Sequence, residues 1–133
     1  MTHKNGFTIL EVIIVAVFAS LFFIVIFIQK ADLDALERDN VRKTAINAIY
    51  YALEEDFYKT NHYYPESIST ENLPTVSPEL WTDPAGYYFN DPESSYFYQP
   101  ANCHQGKCQE YKLQAKLEKE DTYIKYNLDS NQE

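Results

Sequence analysis

Apolar and polar positions divide the chain at two points. From Phe7 to Ile28 every residue is apolar except Thr8, Glu11 and Ser20. Neither proline nor glycine occurs between Phe7 and Tyr64, and these are the residues that most reliably break helices. The pattern predicts one unbroken helix over that interval, more than ~80 Å long at 1.5 Å per residue. Its apolar first part, Phe7 to Ile28, rises roughly 33 Å, enough to cross the hydrocarbon core of a bilayer.

Beyond Ile28 the pattern becomes amphipathic. Ala45, Ile46, Ala48, Ile49, Ala52, Leu53 and Phe57 recur at three- and four-residue spacing, which gives one apolar face for a sheet to cover. Asp34 with Arg38 and Asp39 with Lys43 are i,i+4 pairs with the acid on the amino-terminal side, read as a solvent-exposed helix surface. Pro65 is expected to end the helix, and Tyr64 before it to be extended. The stretch PESISTENLPTVSPELWTDPAG then reads as a meandering loop, with Asp83-Pro84-Ala85-Gly86 suited to a type I turn. Strand signals follow at YYF from Tyr87, SYFYQ from Ser95, EYKLQAKLE from Glu110 and TYIKYNL from Thr122. In the third, Tyr111, Leu113, Ala115 and Leu117 alternate strictly with polar residues, the mark of a half-buried strand. The expected fold is α+β. A long N-terminal α-helix, apolar in its first half, packs through its second half on a small antiparallel sheet of three or four strands, with the other sheet face in water.

Charge narrows the function. The formal net charge is -9, from 11 Lys and Arg against 20 Asp and Glu, and the imbalance persists beyond the apolar run. Direct binding of nucleic acid wants the opposite sign and is not expected. His3 and Lys4 precede the apolar run, while Asp32, Asp34 and Glu37 follow it beside Lys30. This asymmetry predicts a single-pass segment with its amino end cytoplasmic and the remainder outside. The run is too long for an ordinary secretory signal, and no A-x-A pattern closes it.

A head of ~70 residues has a small core and needs a docked helix or a cross-link. Cys103 and Cys108 frame the loop CHQGKC. In an extracytoplasmic head an oxidised pair is the default. A metal site would need two further ligands, with only His104 near, and C-x4-C is not a zinc signature. Asp83, Asp91, Glu93, Asp121 and Asp129 offer oxygen atoms for calcium but form no recognisable calcium loop, so a solvated acidic surface is the favoured reading. No catalytic constellation, cofactor motif or metal centre is evident: His3, His62 and His104 are isolated, and no nucleophile signature occurs. The chain is read as not an enzyme. Twelve tyrosines, all from Tyr50 onward, supply a small sheet with large amphipathic side chains, with an aromatic adhesive surface as the alternative.

The amino-terminal residues carry a further signal. A short basic leader ending in Gly6, then Phe7, Thr8 and a glutamate at the fifth position after the glycine, GFTILEVIIVAVF, resembles the class III signal of type IV pilins and pseudopilins. The resemblance continues through ALERDNVRKTAINAIYYALEEDFYKTNHYYP and, more loosely, to DPAGYYF and YKLQAKLE. It implies a leader over residues 1–6, a hydrophobic membrane and filament-core helix over 7–28, an amphipathic helix over 29–64 and a globular sheet head over 65–133. It further implies cleavage after Gly6 by a prepilin peptidase, methylation of the new Phe7 amine, and assembly by an inner-membrane platform. The product is a helical polymer of this chain with itself or with other pilins, used for attachment, motility or cell contact. The chain would be held in the cytoplasmic membrane before assembly and be extracellular afterwards. A pseudopilin of a type II secretion-like system is the related alternative, and a membrane-tethered binding module the distant one. Unlike many type IV pilins, this chain has no proline or glycine within the hydrophobic helix.

Glu11 acquires a reason in that setting. A lone carboxylate in hydrocarbon costs about 2.5 to 3.5 kcal/mol on insertion scales and is retained where it has a partner. Cleavage before Phe7 would create an ammonium able to pair with Glu11 within the chain or between neighbouring subunits. That pair would set the axial register of the polymer.

Overall fold

A computed structural model describes residues 8–128. The expected leader, residues 1–6, and Phe7, together with Asp129, lie outside the described residues. The chain forms two compact units, divided after Ala35.

In the first unit, helix α1 (Ile9–Tyr51) starts just after Thr8. Its large apolar side chains from Ile9 to Ile28 are open, from Ile26 at 44% exposed to Ile9 at 83%. The helical stretch Ile9–Asn61 is long and apolar enough to cross a membrane, with a mean hydropathy of 3.0 in its most apolar window.

The second unit is the α+β head. Here α1 buries Ala45, Ile46 and Ile49, the predicted stripe. After Tyr51 the helix widens into a π-helix, Ala52–Tyr58, and closes with a short turn α2, Lys59–Asn61. The reason is local. Ala52, Leu53 and Glu54 are all buried, three consecutive positions that an α-helix would spread around more than half its circumference. A wider helix subtends less angle per residue and keeps all three on the inner side.

The helix ends earlier than the sequence pattern suggests. His62, not Pro65, stops it by adopting the left-handed conformation (φ 60°, ψ 28°). Its N–H donates to the Tyr58 carbonyl at 2.8 Å. Thr60 Oγ1 and Asn61 Nδ2 donate to the carbonyls of Asp56 and Phe57 at 3.0 and 2.9 Å, so polar side chains satisfy the terminal acceptors. Tyr64 is extended as expected and with Pro65 forms strand β1 (Tyr64–Pro65).

The antiparallel sheet has four strands: β1, β2 (Tyr96–His104), β3 (Lys107–Ala115) and β4 (Tyr123–Tyr126). β3 is central. β2 lies along one side of it, while β1 and β4 share the other, pairing with its beginning and its end. Pro100, which has no N–H to donate, is tolerated because β2 is an edge strand. β2 and β3 join through Gln105 (φ 53°) and Gly106 (φ 77°), successive positive φ values that match a type I′ hairpin turn. Cys103 and Cys108 oppose each other in the ladder and are disulfide-bonded. A loop this short contributes about 2 kcal/mol by the chain-entropy relation.

One expected strand does not form. Of Tyr87-Tyr88-Phe89, only Tyr88 makes a single bridge, to Thr82, because the chain there wraps around Asp83. The predicted turn is present: the Gly86 N–H donates to the Asp83 carbonyl at 2.9 Å. Asp83 Oδ1 accepts the N–H groups of Ala85 and Tyr87, and Oδ2 those of Ser95 main chain and hydroxyl. Within the proline-rich loop a 3-10 turn, Pro78–Trp81, carries Trp81 to full burial. The alternation in β3 is as predicted, with Tyr111, Leu113 and Ala115 buried against the helix.

The expected helix-surface ion pairs are rearranged. Asp39 is 1% exposed and turns to Arg42, three residues on, at 2.8 Å. Its oxygens also accept the backbone N–H groups of Glu118 and Lys119 at 2.9 to 3.0 Å. Arg38 forks onto the Glu118 carboxylate, Arg42 reaches the same group, and Lys43 pairs with Glu120 at 2.6 Å. Charges predicted to decorate the helix therefore clamp it to the segment after β3.

This clamp makes the head acid-labile. Burial alone would raise the Asp39 carboxyl, but the Glu118 and Lys119 N–H groups and Arg42 outweigh it, leaving its pKa lowered. Asp83 is likewise lowered, its burial offset by hydrogen bonds led by Ser95. Arg38 and Arg42 hold Glu118 down to about 2. A depressed folded-state pKa contributes stability above the unfolded value, near ~4 for carboxylates, that is lost as pH falls through the folded value. The thermal midpoint of the head should fall steadily below about pH 4 to 5. Asp39→Ala should cost about 3 kcal/mol at neutral pH, because it strands two N–H groups and part of a buried guanidinium charge. It should also flatten the acid limb. A variant with wild-type midpoints across the pH range would refute this account of the clamp.

Candidate functional site

Three groups of residues merit inspection as sites: the start of α1, the disulfide hairpin and the acidic loops. Of the processing pair Gly6 and Phe7, both members lie outside the described residues. Glu11 is described, and its surroundings are specific.

Thr8 stands at the N-cap of α1 and Glu11 at the third helical position. The Thr8 N–H donates to Glu11 Oε2 at 2.8 Å, and the Thr8 hydroxyl contacts the same oxygen at 3.1 Å. In return Thr8 Oγ1 lies 3.3 Å from the Glu11 N–H. This reciprocal arrangement is a capping box, in which N-cap and third-position side chains satisfy one another's orphan donors. Glu11 also places negative charge in the first turn, where the helix dipole favours it. The pattern T-x-x-E before an apolar run is legible in the sequence; it assigns Glu11 a second task, that of fixing where the helix begins.

The capping box uses one carboxylate oxygen. Glu11 Oε1 has no partner among the described residues, so an acceptor remains at the amino end of an otherwise apolar surface. Within Ile9–Ile28 the remaining polar side chain, Ser20, returns its hydroxyl to the Val17 carbonyl at 2.8 Å. It therefore presents no free donor to an approaching helix.

Cys103 and Cys108 form the predicted disulfide, with Cys108 fully buried. Their hairpin is a cross-link in the sheet, with no free thiolate for metal or redox chemistry. The acidic loop residues do not converge. Among the described residues no group of three His, Cys, Asp or Glu is close enough to hold a metal ion. Asp83, expected on a solvated acidic surface, is buried at 5% exposure with both oxygens taken by its own loop. Asp91 likewise accepts the Glu93 N–H at 3.0 Å.

Tyr64, Tyr96, Tyr98 and Tyr111 are buried in the core, whereas Tyr51, Tyr87, Tyr88 and Tyr126 are exposed; one buried cluster has unexpected chemistry. Glu54 in the π-helix is 4% exposed. It accepts the hydroxyls of Tyr64 at 3.0 Å and Tyr111 at 2.6 Å. Burial, then the hydrogen bond to Glu54, raises the Tyr111 hydroxyl well above its ordinary value. Tyr98 donates to the Pro65 carbonyl at 2.6 Å, and the Tyr64 ring stacks on Tyr58 at 4.7 Å. The hydroxyls thus act as fixed donors that hold a buried carboxylate. The sequence signal for this was a glutamate, Glu54, directly following the apolar face residue Leu53.

Comparison with family models, with curated proteins and with solved structures finds no match to this chain.

The capping box is open to direct measurement. Replacing Thr8 with Val removes the side-chain acceptor for the Glu11 N–H while keeping the shape, at a cost of about 1 kcal/mol. In detergent micelles, hydrogen exchange at Glu11 and its neighbours should accelerate about fivefold, while exchange beyond Ser20 is unchanged. Unaltered exchange at Glu11 would show that the cap does not hold the helix start.

Proposed function

We propose that the chain is a structural subunit of a type IV pilus-like filament, held in the cytoplasmic membrane before assembly and polymerised through its amino-terminal helix. One observation carries the reading. A membrane-length apolar surface bears a single carboxylate, placed on its first turn with one oxygen unpartnered among the described residues, and its helix continues as the core helix of a small α+β head. A helix that only anchors the head could use Glu11 to cap its first turn, but has no use for the carboxylate oxygen left open, whose burial in lipid is unfavourable.

The mechanism follows from electrostatics in a low-dielectric surrounding. Cleavage between Gly6 and Phe7 by a prepilin peptidase would leave a Phe7 ammonium four residues before the Glu11 carboxylate. A subunit leaving the membrane must keep its apolar helix buried, and the surface available for that is the same helix in other subunits. Apolar packing alone leaves the axial position loosely determined. Pairing Glu11 with a Phe7 ammonium selects one register, since any other leaves a charge alone in the core. The acidic head, by its sign, is directed away from nucleic acid and toward solvent or another surface.

Two measurements test this together. Protein recovered from sheared extracellular material should begin at an N-methylated Phe7 by intact mass and amino-terminal sequencing. Glu11→Ala should be cleaved and inserted normally, yet its filament yield should fall by about tenfold or more, the factor that follows from ~1.4 kcal/mol per interface. Full-length chain confined to membranes would instead favour a tethered binding module, and normal filament yield from Glu11→Ala would remove the register role.

A further inference from the structure

The outer face of the head sheet carries a depression of about 320 Å³, lined in part by Gln99, Ala101, Glu110, Lys112 and Tyr126. Its cause lies in the register. Tyr126, Lys112 and Gln99 form one row across β4, β3 and β2. In the neighbouring row Glu110 faces Ala101, and β4 has already ended at Tyr126. A small residue on one side and a missing strand on the other leave a hollow, walled by the Tyr126 ring and the Gln99 side chain. The buried Asn127 closes its inner margin, its Oδ1 standing 3.4 Å from the Tyr111 backbone N of β3.

The walls are solvent-facing and uncommitted within the fold. The side chains of Gln99, Glu110, Lys112 and Tyr126 make no hydrogen bond, ion pair or ring contact among the described residues. By contrast, Lys107 of β3 lies over the Tyr63 ring at 5.0 Å, and Lys116, just past β3, over the Phe97 ring at 5.3 Å. Tyr126 is 45% exposed, a flat amphipathic surface beside an amide, a carboxylate and an ammonium. The volume is at the small end of the range for ligand sites.

We propose that this depression binds a neutral carbohydrate, the terminal unit of a glycan on a contacted surface. Charge selects the class. Lys112 and Glu110 cancel locally, whereas the chain as a whole is -9, a field that opposes acidic sugars and draws cations to many other places. A neutral pyranose offers an apolar C–H face for the Tyr126 ring. Its hydroxyls both donate and accept, matching the acceptor Glu110, the donor Lys112 and the bifunctional amide of Gln99. Such a site lies wholly within the head and is independent of whether the chain polymerises.

The test uses the full chain in a zwitterionic, sugar-free detergent. It is applied to a printed panel of oligosaccharides ending in glucose, galactose, mannose or N-acetylhexosamine, with sialylated and sulfated forms alongside. Binding to a subset of the neutral panel is expected. Tyr126→Ala, and Ala101→Leu, which fills the hollow, should each weaken it about tenfold or more, with unfolding midpoints unchanged. Tyr51→Ala, on an exposed helix face, should leave it intact. If Ala101→Leu does not fold, Gln99→Ala reads the same wall. Absence of neutral-glycan binding at millimolar concentration, preference for acidic glycans, or binding that these variants leave untouched would each overturn the proposal.

Discussion

The head depends on the rotation of one helix about its own axis. An apolar stripe fixes that rotation only loosely, because Ala45, Ile46, Ile49 and Leu53 tolerate some rolling against a smooth sheet. Two directional contacts remove the freedom. At one end, Asp39 accepts the N–H groups of Glu118 and Lys119 while Arg42 spans Asp39, Glu118 and the Ser95 hydroxyl. At the other, Glu54 receives the hydroxyls of Tyr64 and Tyr111. A carboxylate buried with fully committed donors tolerates little displacement, since any shift leaves it desolvated and unpaired.

The two anchors impose a geometric conflict, and the π-helix resolves it. Leu53 must stay in the apolar seam while Glu54, the next residue, must face the same interior to meet two tyrosines from β1 and β3. A regular α-helix can bury two neighbours, as at Ala45 and Ile46, but it spreads three in succession, Ala52, Leu53 and Glu54, over more than half its circumference. The widened turn at Ala52–Tyr58 therefore follows from the buried acid. The same polar wiring reaches the loop without regular structure: Arg42 donates to Ser95, and Ser95 to Asp83, whose oxygens hold the turn that carries Trp81 and Phe89 into the core. A segment rich in proline can be ordered by one carboxylate when that carboxylate satisfies successive backbone donors.

Much of this architecture was legible because it is periodic. The helix, its apolar stripe, the Tyr111 to Ala115 alternation, the Asp83 turn and the cysteine pair all have short-range signatures, and all are present. What was not legible involves partners distant in sequence. Asp39 and Lys43 look like a surface pair, and only the approach of the Glu118 to Glu120 segment turns them to other partners. The Tyr87 to Phe89 stretch has strand-forming residues, yet the demands of Asp83 bend the chain there. At the amino end the capping box was readable from Thr8 and Glu11 alone, whereas the residues that would complete a processing site lie outside those described. Helix termination at His62 had no glycine or proline to announce it.

Two of the acids along this helix, Glu11 and Glu54, illustrate how burial decides what a carboxylate is for. Glu54 has donors on both oxygens from its own fold, so its surroundings are complete and its role ends at holding the head together. Among the described residues Glu11 is satisfied on one oxygen only, by a residue that must itself be ordered to serve. In water the open oxygen costs nothing, since solvent supplies the missing donor. Once the apolar surface is withdrawn from water, by lipid or by neighbouring helices, that donor is gone and the deficit becomes a preference for whatever cation can be brought to the same depth. A chain that ends its own exposed helix with an ammonium would bring such a cation with every copy. Of these two acids, the one with an oxygen left open among the described residues is the one that the proposed assembly would use between chains.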